Sequence, residues 1–143
     1  HVMSYQTTNE DVEAVLTTAY EQLKPGGLFI FDFWYGPAVL FEKPEIRVKK
    51  FSGSNLEVTK IATPEIHHLQ NTVDVNYRLF VKEKRIGRIS EFEELHRMRY
   101  FFLPEFSSWF EKRPFKILRF YEWLTDKEPT INSWSSVLIL KKI

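Results

Sequence analysis

The stretch KPGGLFIFDFWYGP, Lys24 to Pro37, decides the fold of this chain. A proline-glycine turn feeds a short apolar run, Leu28 to Phe33, that closes on Asp32 and then two aromatics, Trp34 and Tyr35. So short and so apolar a run reads as a strand buried on both faces, and such strands belong to parallel sheets covered by helices on either side.

Immediately upstream, Thr7-Thr8-Asn9-Glu10 has the spacing of a capping box, and Val12, Val15, Leu16, Ala19, Tyr20 and Leu23 follow on one helical stripe. The pattern predicts a helix over about 8–23. Lys24-Pro25-Gly26-Gly27 ends it, because proline cannot continue the ladder and glycine accepts the left-handed conformation that closes a helix.

Downstream of about Phe41 the pattern changes to alternation. Val73, Val75, Tyr77, Leu79 and Val81 share one face, with Asp74, Asn76, Arg78 and Lys82 on the other, which is antiparallel sheet with one wet face. Strands are predicted over 46–51, 55–62, 72–82 and 85–101. Pro104 opens a helix over 104–111 with Phe106, Trp109 and Phe110 as its stripe, and 116–123 and 134–142 read as two closing strands.

The chain has 143 residues, 43% of them apolar and 16% aromatic, enough to build one packed domain. Twenty basic residues against 19 acidic ones leave a net charge of +1, which gives no general attraction to nucleic acid or anionic membrane. Arg47-Val48-Lys49-Lys50 and Lys82-Glu83-Lys84-Arg85 read as solvated strand edges guarded by lysine. With no cysteine, disulfides and thiolate metal sites are excluded. No apolar run approaches the roughly 20 residues of a membrane-spanning helix, and no signal-peptide pattern opens the chain. The expectation is a soluble, cytoplasmic protein that binds neither nucleic acid nor membrane.

The order helix, buried strand, antiparallel block, helix, two strands, together with HVMSYQTTNED, LKPGGLFIFDFWYGP and EELHRMRYF, resembles the C-terminal half of a class I S-adenosylmethionine-dependent methyltransferase. Within that class it is most similar to small-molecule enzymes that N-methylate nucleotide-linked amino sugars. The resemblance implies an α/β chain, or α+β as a fragment, forming a single domain. Residues 1–40 and 101–143 would be a Rossmann-like remnant carrying the family's strands five, seven and six, and 41–100 an inserted antiparallel sheet. It further implies that 28–33, 116–123 and 134–142 share one sheet, with the last strand antiparallel and between the others.

What such an enzyme needs and this sequence lacks is the N-terminal half. The methyl donor is held there by a glycine-rich loop and a ribose-binding acid, in which glycine lets backbone approach the ligand. Only five glycines occur here, none with G-x-G spacing. His1 and Val2 continue the family pattern ahead of Met3, which implies a coding sequence cut from something longer. The cofactor implied is S-adenosylmethionine, and without the donor loop the chain alone is expected to be inactive. The strand at 28–33 would also lack a flanking partner, and an unpaired apolar edge recruits another chain. A homodimer or swapped assembly covering that edge is the expectation.

Several residues are candidates for chemistry. Asp32 stands at the strand end where open α/β sheets place ligands, with Trp34 and Tyr35 after it as candidate substrate walls. The alternative is that Asp32 bonds the local turn and the aromatics are core. Alternate strand residues share a face, so Phe92, Glu94, His96, Met98 and Tyr100 align. Glu94 and His96 on that stripe are candidate catalytic residues: imidazole oriented by a carboxylate can take a proton from an ammonium or hydroxyl acceptor. Tyr100 is a candidate substrate contact. The alternative is a satisfied same-face ion pair among core residues. Met3 and Tyr5 lie on the segment that, in the family, passes the donor's methionine end, and are candidate cofactor contacts; a frayed terminus is the alternative. His67 and His68 point to opposite faces, which makes a metal pair implausible. Trp109, Trp123 and Trp134 read as core.

Three functions follow. The chain is a methyltransferase-like acceptor half whose parent reaction methylates a small-molecule amine or hydroxyl. Alternatively it is a ligand-binding module in which the long strands wrap a helix as a cone, with an apolar pocket and a few placed polar groups. The last reading is a subunit that completes a glycine-loop protein in trans.

Overall fold

The computed structural model describes His1–Ile143. A 3-10 turn at Met3–Tyr5 precedes α1 (Asn9–Gln22), β1 (Leu28–Tyr35) and α2 (Gly36–Glu42). Four strands follow: β2 (Arg47–Ser52), β3 (Leu56–His67), β4 (Thr72–Glu83) and β5 (Ile89–Phe101). Then come α3 (Leu103–Lys112), β6 (Phe115–Glu122) and β7 (Ser135–Lys142).

All seven strands form one mixed sheet in the order β2-β3-β4-β5-β1-β7-β6. β7 lies between β1 and β6 and runs antiparallel to both, the arrangement that the resemblance implied for those three segments. The long strands do not wrap a helix. They extend as a meander from β5, which meets β1 in parallel only at Trp34 opposite Tyr100 and Tyr35 opposite Phe101.

Local chemistry explains the boundaries. Thr8 caps α1: its hydroxyl accepts from Asp11 N–H and its own N–H donates to the Asp11 carboxylate, so the box closes on Asp11 rather than Glu10. After α1 the turn at Gly26 takes φ +82°, and Gly26 and Gly27 exchange backbone hydrogen bonds with Lys142, which locks the turn to the end of β7. At α3 the Glu105 carboxylate reaches back to Phe102 N–H at 2.7 Å. Helix α2 is not among the predicted elements; Pro37 near its start and buried Ala38 and Val39 set it against the sheet.

The sheet has a core on each face. On one, α1 and α3 cover Phe33, Phe101, Leu138 and Leu140, with Phe106, Trp109 and Phe115 completing an aromatic cluster. On the other, α2 contributes Val39 over Val73, Val75, Met98 and Tyr100. Trp123, read as core, is instead 42% exposed, because β6 ends at Glu122 and leaves it on a loop edge. Arg99, 7% exposed, ties three elements together through Asn9 Oδ1 at 3.0 Å and Glu105 Oε1 at 2.9 Å.

The helix-side face of the meander carries a second ion pair, buried only on its carboxylate side. Arg97 makes two hydrogen bonds of 2.6 Å to Asp74, and His67 Nε2 lies 3.2 Å from the same carboxylate. The Arg97 bond, ahead of the weaker pull of His67, holds the Asp74 carboxyl below the ordinary aspartate value of 3.8. A carboxyl depressed in the folded state adds stability above its unfolded pKa and loses it as pH falls through the lower folded value. Asp74→Asn should therefore cost about 1 kcal/mol at neutral pH, discounted for the half-exposed Arg97, and should flatten the stability curve below about pH 4. Urea unfolding of both proteins from pH 2 to 7 checks this; parallel curves would refute it.

Candidate functional site

The 3-10 turn wedges into the fork between β1 and β5. Ser4, fully buried, accepts a hydrogen bond from Trp34 N–H at 2.9 Å, and Met3 is 3% exposed within the helix-side core. This places Tyr5 against β5. Its hydroxyl lies 2.6 Å from His96 Nδ1, and His96 Nε2 lies 3.2 Å from Glu94 Oε2. With the imidazole neutral and its proton on Nε2 facing the carboxylate, Tyr5 O–H donates to Nδ1. Tyr5, 91 positions from His96 in sequence, thus joins His96 and Glu94 in one chain of hydrogen bonds, with the Tyr5 phenol, 49% exposed, as its outer end.

The same sheet face carries the rest of the site. Cross-strand register sets Tyr77 of β4 opposite Glu94 and Val75 opposite His96, and the Tyr77 ring meets the His96 ring edge-on at 4.9 Å. Trp34 at the end of β1 packs edge-on against Trp134, which precedes β7, at 5.5 Å. Between these aromatics is a cavity of about 130 Å³ lined by Trp34, Trp134, Tyr77, Val75, Ala62 and Pro64, with Arg47 and Glu45 at its rim. It is smaller than the roughly 300 Å³ at which whole drug-sized ligands are enclosed, so it suits one substituent of a larger molecule.

The site residues read from the sequence therefore separate. Glu94, His96 and Tyr5 come together; the resemblance implies a cofactor contact for Tyr5, and in the structure its hydroxyl meets His96. Trp34 lines the cavity. Tyr35 turns to the other face and packs against Phe120. Tyr100, 1% exposed, lies beneath the site in the core, where burial, and then the Glu105 charge, raises its phenol above the ordinary value. Asp32 pairs with His1 Nδ1 at 2.6 Å. Met3 keeps its side chain inside. Ser4, Tyr77 and the cavity role of Trp134 escaped sequence reasoning; Tyr77 was visible on its alternating stripe, but only cross-strand register pairs it with Glu94.

The donor group named by the resemblance can be tested against these residues. Of the five glycines, Gly36 is required by packing, since a Cβ there would meet the Phe102 ring at 2.7 Å, and Gly26 and Gly87 serve turns with positive φ. None cradles a ligand, and Asp32, near the end of β1, is paired with His1. The residues of this chain do not by themselves fit S-adenosylmethionine.

No protein-family model matches the chain, and no curated protein resembles it in sequence. Solved structures do match in fold. An S-adenosylmethionine-dependent methyltransferase from Clostridium acetobutylicum superposes with a TM-score of 0.79 at 16% identity, over 98% of this chain and 54% of its own. DesVI from Streptomyces venezuelae gives 0.76 at 14%, over 99% and 55%. An amino pentose methyltransferase from Micromonospora echinaspora, solved with S-adenosylmethionine bound, gives 0.73 at 14%, over 99% and 54%. The chain has the mixed α/β fold of these methyltransferases and spans about half of their length. No helix is long and apolar enough to cross a membrane.

Proposed function

We propose that this chain is the acceptor-side half of an S-adenosylmethionine-dependent methyltransferase acting on a small-molecule amine or hydroxyl, with Tyr5, His96 and Glu94 as its proton relay. The carrying observation is the 2.6 Å contact between Tyr5 and His96, continued to Glu94. An acceptor that hydrogen-bonds to the Tyr5 oxygen gives it a proton as its lone pair is committed to bond formation. Tyr5 passes its own proton to His96 Nδ1, and the imidazolium that forms is stabilised by the Glu94 carboxylate. The small aromatic cavity beside Tyr77 holds a substituent and fixes the acceptor's orientation. The methyl donor supplies the transferred group from a region outside these residues. Turnover of the Tyr5 and His96 variants, in protein complete with its donor-binding region, tests the relay; wild-type rates in both would end it.

The same reading has the free edge of β1 covered by a second copy of the chain. Trp34 N–H points to the β5 side, so the backbone groups of Ile30 and Asp32 point there too, where β5 does not reach them. No lysine or proline guards Leu28 to Phe33, and Leu28 and Ile30 are each about half exposed. Two-fold antiparallel pairing centred on Ile30 sets Leu28 of one copy opposite Asp32 of the other and pairs the free backbone groups of both edges. Light scattering should read a dimer at micromolar concentration and a monomer for Ile30→Lys. A monomeric wild type would exclude this assembly.

A further inference from the structure

On the sheet face that carries the aromatic cavity, Lys49 of β2 lies directly opposite Lys60 of β3, with Arg47 two residues along the same strand. Like charges set directly across a strand pair repel each other. None of the three belongs to an ion pair, and neither does Glu45 at the cavity rim.

The other face of the same strands is different. There Arg78 meets Glu91 at 3.0 Å and Glu93 at 2.9 Å, Lys82 meets Glu57 at 3.8 Å, and Arg97 meets Asp74. Three of the cations on that face, Arg78, Lys82 and Arg97, thus have carboxylate partners, whereas Arg47, Lys49 and Lys60 on the side of the site have none. The run Arg47 to Lys50, expected to be a uniformly solvated edge, is divided by the pleat: Lys50 turns away, while Arg47 and Lys49 turn toward the cavity.

These cations also line a space. A hollow of about 250 Å³ is bounded by Arg47, Lys49, Phe51, Lys60, Ala62 and Tyr77. Through Arg47, Ala62 and Tyr77 it adjoins the 130 Å³ cavity. Lys60 is half-buried, and its ammonium sits 3.5 Å from the centre of the Tyr77 ring, which holds the charge at the junction of the two spaces.

We propose that Arg47, Lys49 and Lys60 form an anion subsite for a phosphate or carboxylate group carried by the acceptor. An anion between the opposed lysines removes their repulsion, and Arg47 supplies paired N–H donors suited to either oxyanion. The Tyr77 ring then spans from the anion to the cavity beside His96. That the anion belongs to the acceptor rests on the function proposed above; that an anion binds does not.

The test is an NMR titration of the 143-residue chain with inorganic phosphate in one arm and acetate in the other, at constant ionic strength. Saturable amide shifts centred on Lys49, Lys60 and Tyr77 are expected in at least one arm. Phosphate alone assigns a phosphorylated acceptor, acetate alone a carboxylate, and both assign a subsite that takes either. The Lys49→Met, Lys60→Met double variant should weaken binding at least tenfold with the remaining spectrum unchanged; Lys60→Gln serves if the double variant does not fold. Saturation in neither arm, shifts spread equally over distant lysines such as Lys24, or unaltered affinity in the variant would overturn the subsite. A relay that fails by turnover while phosphate or acetate still saturates would remove the function and leave the subsite standing.

Discussion

His96→Gln should lower kcat about 100-fold in protein complete with its donor-binding region, while the KM for the acceptor changes less than threefold. General-base catalysis contributes roughly 10² to 10⁴ in rate, and the low end applies because Glu94 and Tyr5 are open to water. A factor of about 100 corresponds to about 2.7 kcal/mol of transition-state stabilisation. Glutamine nearly preserves the volume that packs against Tyr77, and its amide can still accept from Tyr5 O–H. It cannot take up the proton, so binding survives and turnover does not. Tyr5→Phe should produce a loss of the same order, and the double variant little more than either alone, because residues that act as one relay are not additive. Rate losses that multiply would mean separate roles for the two residues. Unchanged turnover in His96→Gln would show the hydrogen-bonded chain to be structural. A drop confined to KM would make His96 a binding residue instead.

The largest stability effect should come from Phe33→Ala. Phe33 is fully buried between the helices and the sheet, with Phe106 at 4.8 Å, Phe101 edge-on at 5.9 Å and Phe120 stacked at 6.2 Å. Deleting a buried phenylalanine costs about 3 to 5 kcal/mol through lost transfer energy and the cavity left behind. Each ring pair adds about 0.5 to 1.5 kcal/mol beyond its area. A domain stable by about 5 to 15 kcal/mol loses a large fraction of that, and Tm should fall by about 10 to 15 °C. Ile30→Ala, three strand positions from Phe33 and so on the opposite face, and 56% exposed, should move stability by less than about 0.5 kcal/mol when measured on the monomer. Chemical denaturation of both variants separates these outcomes. Comparable losses would mean that the two faces of β1 are covered alike in solution, contrary to the burial described.

As one apolar run β1 predicts burial on both faces, and so it would be in a sheet with helices on either side. In this chain the Phe29, Phe31 and Phe33 face is covered along the run, whereas on the other face cover begins only toward Trp34 and leaves Leu28 and Ile30 half exposed. An apolar side chain states what environment would suit it; whether another layer supplies that environment is a tertiary fact.

Much was nevertheless determined along the chain. The Thr8 cap, the Lys-Pro-Gly-Gly stop, the alternation through β4 and the aromatic stripe of α3 are local patterns, set by capping geometry and by periods of 3.6 and 2, and they define most of the elements within a few residues. The same periodicity aligned Glu94 with His96, since residues two apart on a strand share a face. What only the tertiary structure decided is long-range. Tyr5 reaches His96 because Ser4 is pinned to Trp34 N–H in the fork of two strands. Tyr77 stands over His96, and Lys49 faces Lys60, because register fixes which residues of separate strands lie opposite. Each such pairing depends on where strands distant in sequence come to rest against one another, and no window along the chain contains both partners.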